Sequence, residues 1–247
     1  MNNLSGKTAL ITGAAKRLGQ ATALALADSG INIIVHYNKS DQEANNLVQL
    51  LSTKGVLADK IQYDFTDHRG IKKLLEKAKT LTGKIDFLIN SASIYPGDNL
   101  KTMSGRTLEQ TINLNSFAPF LLAREFKNIF LKGSVINFLD GRMTDYIPEH
   151  ISYQLSKQML FSLTRMMSLD FAPGIRVNAV APGIIIPEDI SDKEALLRLK
   201  EGNPLKKIGT PSQVADTVKF LLQNEFITGQ VIYVDGGRNL KGNIYGY

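Results

Sequence analysis

The chain has 247 residues, 43% of them hydrophobic and 21% charged, with a formal net charge of +6; this is ordinary globular composition, long enough to bury one sizeable core. It holds no cysteine, which excludes disulfides, thiolate metal sites and cysteine nucleophiles, and its three histidines (His36, His68, His150) stand far apart in sequence, against a histidine metal cluster. No apolar run precedes the first strand, no segment reaches the ~18 apolar residues of a membrane span, and the lysines and arginines are dispersed, so the expectation is a cytoplasmic protein that binds neither membrane nor nucleic acid and whose surplus charge suits a small anionic ligand.

Short apolar runs alternate with longer amphipathic stretches. KTALIT reads as the first strand and leads directly into Thr12-Gly13-Ala14-Ala15-Lys16-Arg17-Leu18-Gly19, with a helix over about 17–29. Gly13 permits the tight turn, Gly19 permits close helix–strand packing, and the helix N-terminus, with Leu18, offers free N–H groups to a pyrophosphate. Arg17 stands where a third glycine would be common, and an arginine there can reach an extra phosphate. The second strand, NIIVHY, ends at His36, Tyr37, Asn38, Lys39 and Ser40 with no carboxylate to hold ribose hydroxyls. Lys39, Ser40 and Arg17 suit a 2′-phosphate instead, so the expected dinucleotide is NADPH/NADP.

A helix over 41–54 and the strand VLADKIQ follow. Asp64, beside Phe65 in YDFTD, is placed to hold an adenine amino group, and Asp67 reads as the cap of a helix over 67–81. Then come the strand IDFLIN, a long helix over 107–131, the strand SVINFL, a helix over 151–171, the strand IRVNAVA, a helix over 211–223 and the strand QVIYVD. Alternating strands and helices imply a parallel sheet covered on both faces. No repeat or linker interrupts the pattern, so one domain is expected over 1–247. The segment from Gly183 to Pro204, with the amphipathic DKEALLRLKE, follows a strand end, where a substrate lid would sit.

Tyr153 and Lys157 lie four apart on one helix face. An ammonium beside a phenol is expected to lower its proton affinity, and a more acidic phenol donates a proton near neutral pH. Asp140 precedes them in FLDGR; Asp-Gly is also a turn dipeptide.

These residues resemble the short-chain dehydrogenase/reductase family over about Leu4 to Leu240: TGAAKRLG, the NSAS variant (Asn90, Ser91, Ala92, Ser93) of the family's Asn-Asn-Ala-Gly, Asn115 in the long helix, Tyr153-x-x-x-Lys157, RVNAVAPG and ITGQVIYVDGG. The resemblance implies a Rossmann-type, doubly wound, seven-stranded parallel α/β sheet in a homotetramer. It further implies that Lys157 binds the nicotinamide ribose, that Tyr153 donates the proton, that Asn115 supports a water and proton chain, and that Asn90, Ser91, Ala92, Pro182, Gly183 and Ile185 border the cofactor. The family normally has a serine where this chain has Asp140. Asp140, the arginine-bearing loop and HYNKS are similar to the pteridine reductases and dihydromonapterin reductases, in which the Asp and Tyr act together at a pterin. A pterin offers C=N bonds and ring nitrogens that a carboxyl group can pair with or protonate, whereas a ketone offers only lone pairs that an ionised Asp repels. Tyr95 would stack on the flat ring, with Ser93 and Arg17 beside it. The expected activity is NADPH-dependent reduction of a dihydropterin to the tetrahydro form. A 3-oxoacyl thioester reductase and a non-catalytic NADPH-binding protein remain as alternatives.

Overall fold

Every position of the first strand, β1 (Thr8–Thr12), is buried, because it runs through the middle of a sheet covered on both faces. The computed structural model describes residues 3–185 and 193–240. After β1 come α1 (Arg17–Ala27), β2 (Asn32–Tyr37), α2 (Asp41–Ser52), β3 (Ala58–Gln62), α3 (Ile71–Thr82) and β4 (Phe87–Asn90). The second half holds α4 (Gly105–Ile112), α5 (Ala118–Phe130), β5 (Gly133–Phe138), α6 (Ile151–Asp170), β6 (Ile175–Pro182), α7 (Lys193–Glu201), α8 (Pro211–Gln223) and β7 (Val231–Val234).

The seven strands are parallel in the order β3-β2-β1-β4-β5-β6-β7. Winding reverses between β1 and β4, and such a switch point leaves a crevice at the strands' C-terminal ends. One apolar layer joins α1, α2 and α8 to the sheet through Leu26, Leu47 and Val218; the other joins α3, α5 and α6 through Leu75, Phe126 and Met167. The expected doubly wound sheet is therefore present. No helix among the described residues is long and apolar enough to cross a membrane.

Two expected helices differ. The stretch read as one helix over 107–131 is α4 and α5 joined by a π-helical turn, Asn113–Phe117, where the Ala118 N–H reaches the Asn113 carbonyl. Pro119 has no N–H and cannot continue the regular ladder, and a local π turn absorbs the interruption. The helix expected from 67 begins at Ile71 after Gly70, because Asp67 accepts from the Arg69 N–H and caps a turn. The amphipathic stretch of the expected lid forms α7, while residues 186–192 of that lid lie outside the described residues.

Candidate active site

The loop from β1 to α1 is built by backbone proximity. Gly13 sits at φ +63°, and a Cβ there would lie 2.8 Å from the Ala92 Cα; at Gly19 a Cβ would lie 2.4 Å from the Gly13 carbonyl oxygen. Both obstacles are main chain, so neither glycine tolerates a side chain without moving the loop. The imidazole of His36 braces the turn. Its Nδ1 accepts from the Gly13 N–H at 3.1 Å, so Nε2 donates to the Tyr63 carbonyl at 3.1 Å. Burial lowers the His36 pKa to about 4, so the ring is neutral at pH 7 and carries no charge toward a phosphate. The N-terminus of α1 has no side-chain cap and no acidic residue in its first turn, which leaves its N–H groups for an anion.

Across the crevice, the Tyr153 hydroxyl on α6 donates to Asp140 Oδ2 at 3.0 Å. The other carboxylate oxygen, Oδ1, accepts from the Arg142 N–H at 2.7 Å, so the Asp-Gly turn itself aims the carboxylate at the phenol. Lys157 Nζ donates to the Phe138 carbonyl at 2.8 Å and lies 5.5 Å from the Tyr153 ring centre. The expected acidification of the phenol does not occur: burial first, then the Asp140 carboxylate, raises the Tyr153 pKa well above its ordinary value. Lys157 is itself lowered to about 8 by burial. A buried phenol hydrogen-bonded to a carboxylate holds its proton more tightly than a solvated one.

Tyr95 stands edge-on to Tyr153 at 4.6 Å between ring centres and stacks on His150 at 3.8 Å. The His150 Nδ1 bonds the Pro96 carbonyl at 2.8 Å. Asp98 accepts from both the Ser152 N–H and the Ser152 hydroxyl, tying the loop after β4 to the start of α6. Asn115 is a second clip. Its amide donates to the Ile94 carbonyl (2.9 Å) and to the Ser156 hydroxyl (3.0 Å), while Oδ1 accepts from the Ile94 N–H (2.9 Å). Both of its N–H groups are thus spent on holding the Tyr95 loop against the tyrosine helix.

A cavity of about 630 Å³ joins the two halves. Of the residues expected from sequence, Gly13, Arg17, Leu18, Gly19, His36 and Asn38 line it toward the glycine loop, and Phe65, Ser91, Ala92, Pro182, Gly183 and Ile185 continue the wall. Ser93, Tyr95, Asp140, Tyr153 and Lys157 complete it. Six expected residues do not border it. Tyr37 is buried, with its hydroxyl on Asp41; Lys39 is exposed, and Ser40 precedes α2 as its N-cap residue. Asp64 caps a turn at the Thr66 N–H, Asn90 donates to Asn137 at 2.8 Å, and Asn115 is clipped as above. Sequence reasoning passed over Lys16, which lines the cavity and pairs with Glu43 at 2.6 Å; its place beside Arg17 was the available signal. Ile94 and Leu114 also line the cavity but read in the sequence as ordinary apolar residues.

A glycine cradle at a sheet switch point, facing a buried Tyr–Lys pair on the next helix layer, defines an α/β oxidoreductase. The chain belongs to the short-chain dehydrogenase/reductase family: the family described as enoyl-(acyl carrier protein) reductase matches residues 13–239. It is similar to glucose 1-dehydrogenase 2 of Bacillus subtilis (29% identity, 96% of each chain) and to the 3-oxoacyl-(acyl-carrier-protein) reductase FabG of Staphylococcus epidermidis (32% identity, 94% of this chain and 98% of that one). Among solved structures it is similar to FolM alternative dihydrofolate reductase 1 from Brucella canis complexed with NADP, with a TM-score of 0.89 and 29% identity over 97% of this chain and 96% of that one.

Proposed function

We propose that this protein reduces a dihydropterin or related pteridine to its tetrahydro form, with NADPH as reductant. The observation that carries the reading is the 3.0 Å hydrogen bond from Tyr153 to Asp140. A carboxylate beside the proton donor repels the lone pairs of a ketone but accepts N–H groups, and a pteridine ring presents both N–H groups and a protonatable nitrogen. The similarity to FolM alternative dihydrofolate reductase supports this reading. The similarity to FabG favours a second one, reduction of a 3-oxoacyl thioester, against which Asp140 stands.

The cofactor is NADP(H), and the chain's residues fit it. The cradle of Gly13 and Gly19 and the uncapped N-terminus of α1 would hold the pyrophosphate. Arg17, Lys16 and Asn38, with no carboxylate at the end of β2, would receive the 2′-phosphate, and Lys157 the nicotinamide ribose. When bound, the cofactor supplies the hydride for the C=N carbon. The protein supplies the proton. Tyr153 gives its proton to the ring nitrogen, the Asp140 carboxylate accepts a ring N–H, the Lys157 ammonium offsets the phenolate charge that develops, and a proton from solvent restores the phenol. Tyr95 offers a flat partner for the ring, held upright by His150. Tyr153→Phe tests the proton step: turnover of a dihydropterin is expected to fall by about 10²–10⁴, and retention of most activity would overturn the role of Tyr153.

A further inference from the structure

Tyr95 and Asp140 also border a second cavity, of about 290 Å³, that the hydride and proton chemistry does not use. Its remaining wall includes Ile185, Leu199 of α7, Arg142 from the turn after β5, and Arg238 from the short 3-10 helix Arg238–Leu240 that follows β7. Two segments remote in sequence thus bring guanidinium groups to one small space. That arrangement is unfavourable by itself: burial, and then repulsion from Arg142, lowers the pKa of Arg238.

The nearby carboxylates do not cancel this pair by direct contact. Among the described residues neither guanidinium has a salt-bridge partner. Asp140 is engaged by the Tyr153 hydroxyl and the Arg142 N–H. Asp235 is engaged by the N–H groups of Gly237 (2.9 Å) and Asn239 (2.7 Å). Asp145 lies outside the cavity wall, near enough to be felt by both arginines, and burial raises its pKa. Arg142 reaches the Tyr95 hydroxyl, so one guanidinium adjoins the ring expected to hold the substrate. Gly202, just beyond α7, leaves space for the other: a Cβ there would lie 2.7 Å from Arg238 Nη1. Ile185 and Leu199 make the rest of the wall apolar. Guanidinium donors that have no salt-bridge partner among the described residues, next to an apolar wall, match an anionic group carried on an aryl or alkyl stem.

We propose that this second cavity receives an anionic substituent of the substrate, held between Arg142 and Arg238 while the reacting ring lies at Tyr95 and Asp140. The inference rests on the pteridine reading, within which it selects a dihydropterin whose side chain ends in carboxylates, as in dihydrofolate, over one with a neutral polyol chain, as in dihydrobiopterin. An anion could also arrive as the phosphates of a coenzyme A thioester, so the test carries that arm.

Initial rates of NADPH oxidation are measured with dihydrofolate, dihydrobiopterin and acetoacetyl-coenzyme A, for wild type, Arg238→Gln and the Arg142→Gln/Arg238→Gln pair. Wild type is expected to prefer dihydrofolate. Arg238→Gln is expected to lower the dihydrofolate-to-dihydrobiopterin ratio of kcat/KM about tenfold, mainly through KM, and high salt to lower it in the same direction. A ratio within twofold of wild type in both variants would overturn the inference and leave the pteridine reading standing. Turnover of acetoacetyl-coenzyme A with neither pterin reduced would overturn both. Should the variants fail to fold, wild type alone decides: p-aminobenzoylglutamate should inhibit dihydrobiopterin reduction competitively and its diethyl ester should not, and equal inhibition by the two would refute the anion site.

Discussion

Replacing Arg17 with glycine is expected to stabilise the protein while weakening its hold on NADPH. Arg17 opens α1 at φ +53°, in the left-handed region, where a side chain costs about 1–2 kcal/mol relative to glycine. As a cation in the first turn it also opposes the helix dipole, by about 0.3–1 kcal/mol. Glycine gives back about 0.5–1 kcal/mol through the added freedom of the unfolded chain. The balance is a gain of about 1 kcal/mol, or roughly 2–4 °C in Tm for a chain of this size. Losing the guanidinium should cost the 2′-phosphate a charge-assisted contact and lower the NADPH-to-NADH affinity ratio about 10–100-fold. Arg17→Ala separates the two effects, because alanine keeps the backbone strain and should lose the same affinity with a smaller gain in Tm. Thermal unfolding of the protein without nucleotide, together with nucleotide titration by fluorescence, measures both. An Arg17→Gly protein less stable than wild type, or one with an unchanged NADPH-to-NADH ratio, would refute the reasoning.

His36 should make stability depend on pH below neutrality. Its folded pKa is about 4 against an ordinary 6.5, so between these values the unfolded chain binds more protons and stability falls as pH falls. From about pH 7.5 to about pH 5 this amounts to about 2 kcal/mol; urea unfolding of His36→Gln should show a correspondingly flatter profile, and an unchanged slope would contradict the neutral brace. Lys157→Met should trade turnover for stability. The buried ammonium has a folded pKa of about 8 against an ordinary 10.5, which makes its charge a cost near pH 7. After the lost bond to the Phe138 carbonyl is deducted, the variant should be about 1–2 kcal/mol more stable near pH 7. That gain should shrink as pH rises from about 8, because wild type then sheds the charge on folding. Denaturant unfolding at neutral and alkaline pH checks it, and a variant less stable at neutral pH would contradict it.

Much of the fold was legible because its signals are local. Continuous apolar runs such as TALIT and FLIN declare buried parallel strands, and Gly13, Gly19 and the Tyr153–Lys157 spacing declare the turn and the helix face. What was not legible depends on contacts between distant segments. The π turn at Asn113–Phe117 reads as ordinary helix until Pro119 is weighed. The direction of the Tyr153 shift depends on how deeply α6 is buried and on where the Asp140 turn aims its carboxylate, and the helix spacing that places Lys157 nearby carries neither fact. Lys16 and Lys39 are both loop lysines beside the expected phosphate, and only the path of the chain puts the first on the cavity and the second outside it. Arg142 and Arg238 meet across nearly the whole second half of the sheet, a pairing without any local signature.

The most direct test sets wild type against Asp140→Ser, following NADPH oxidation with a dihydropterin and with an acetoacetyl thioester side by side. Faster turnover of the pterin by wild type, lost in the variant, is the expected result. Faster turnover of the thioester, kept or improved by serine, would make Asp140 a turn residue and the protein a ketoacyl reductase.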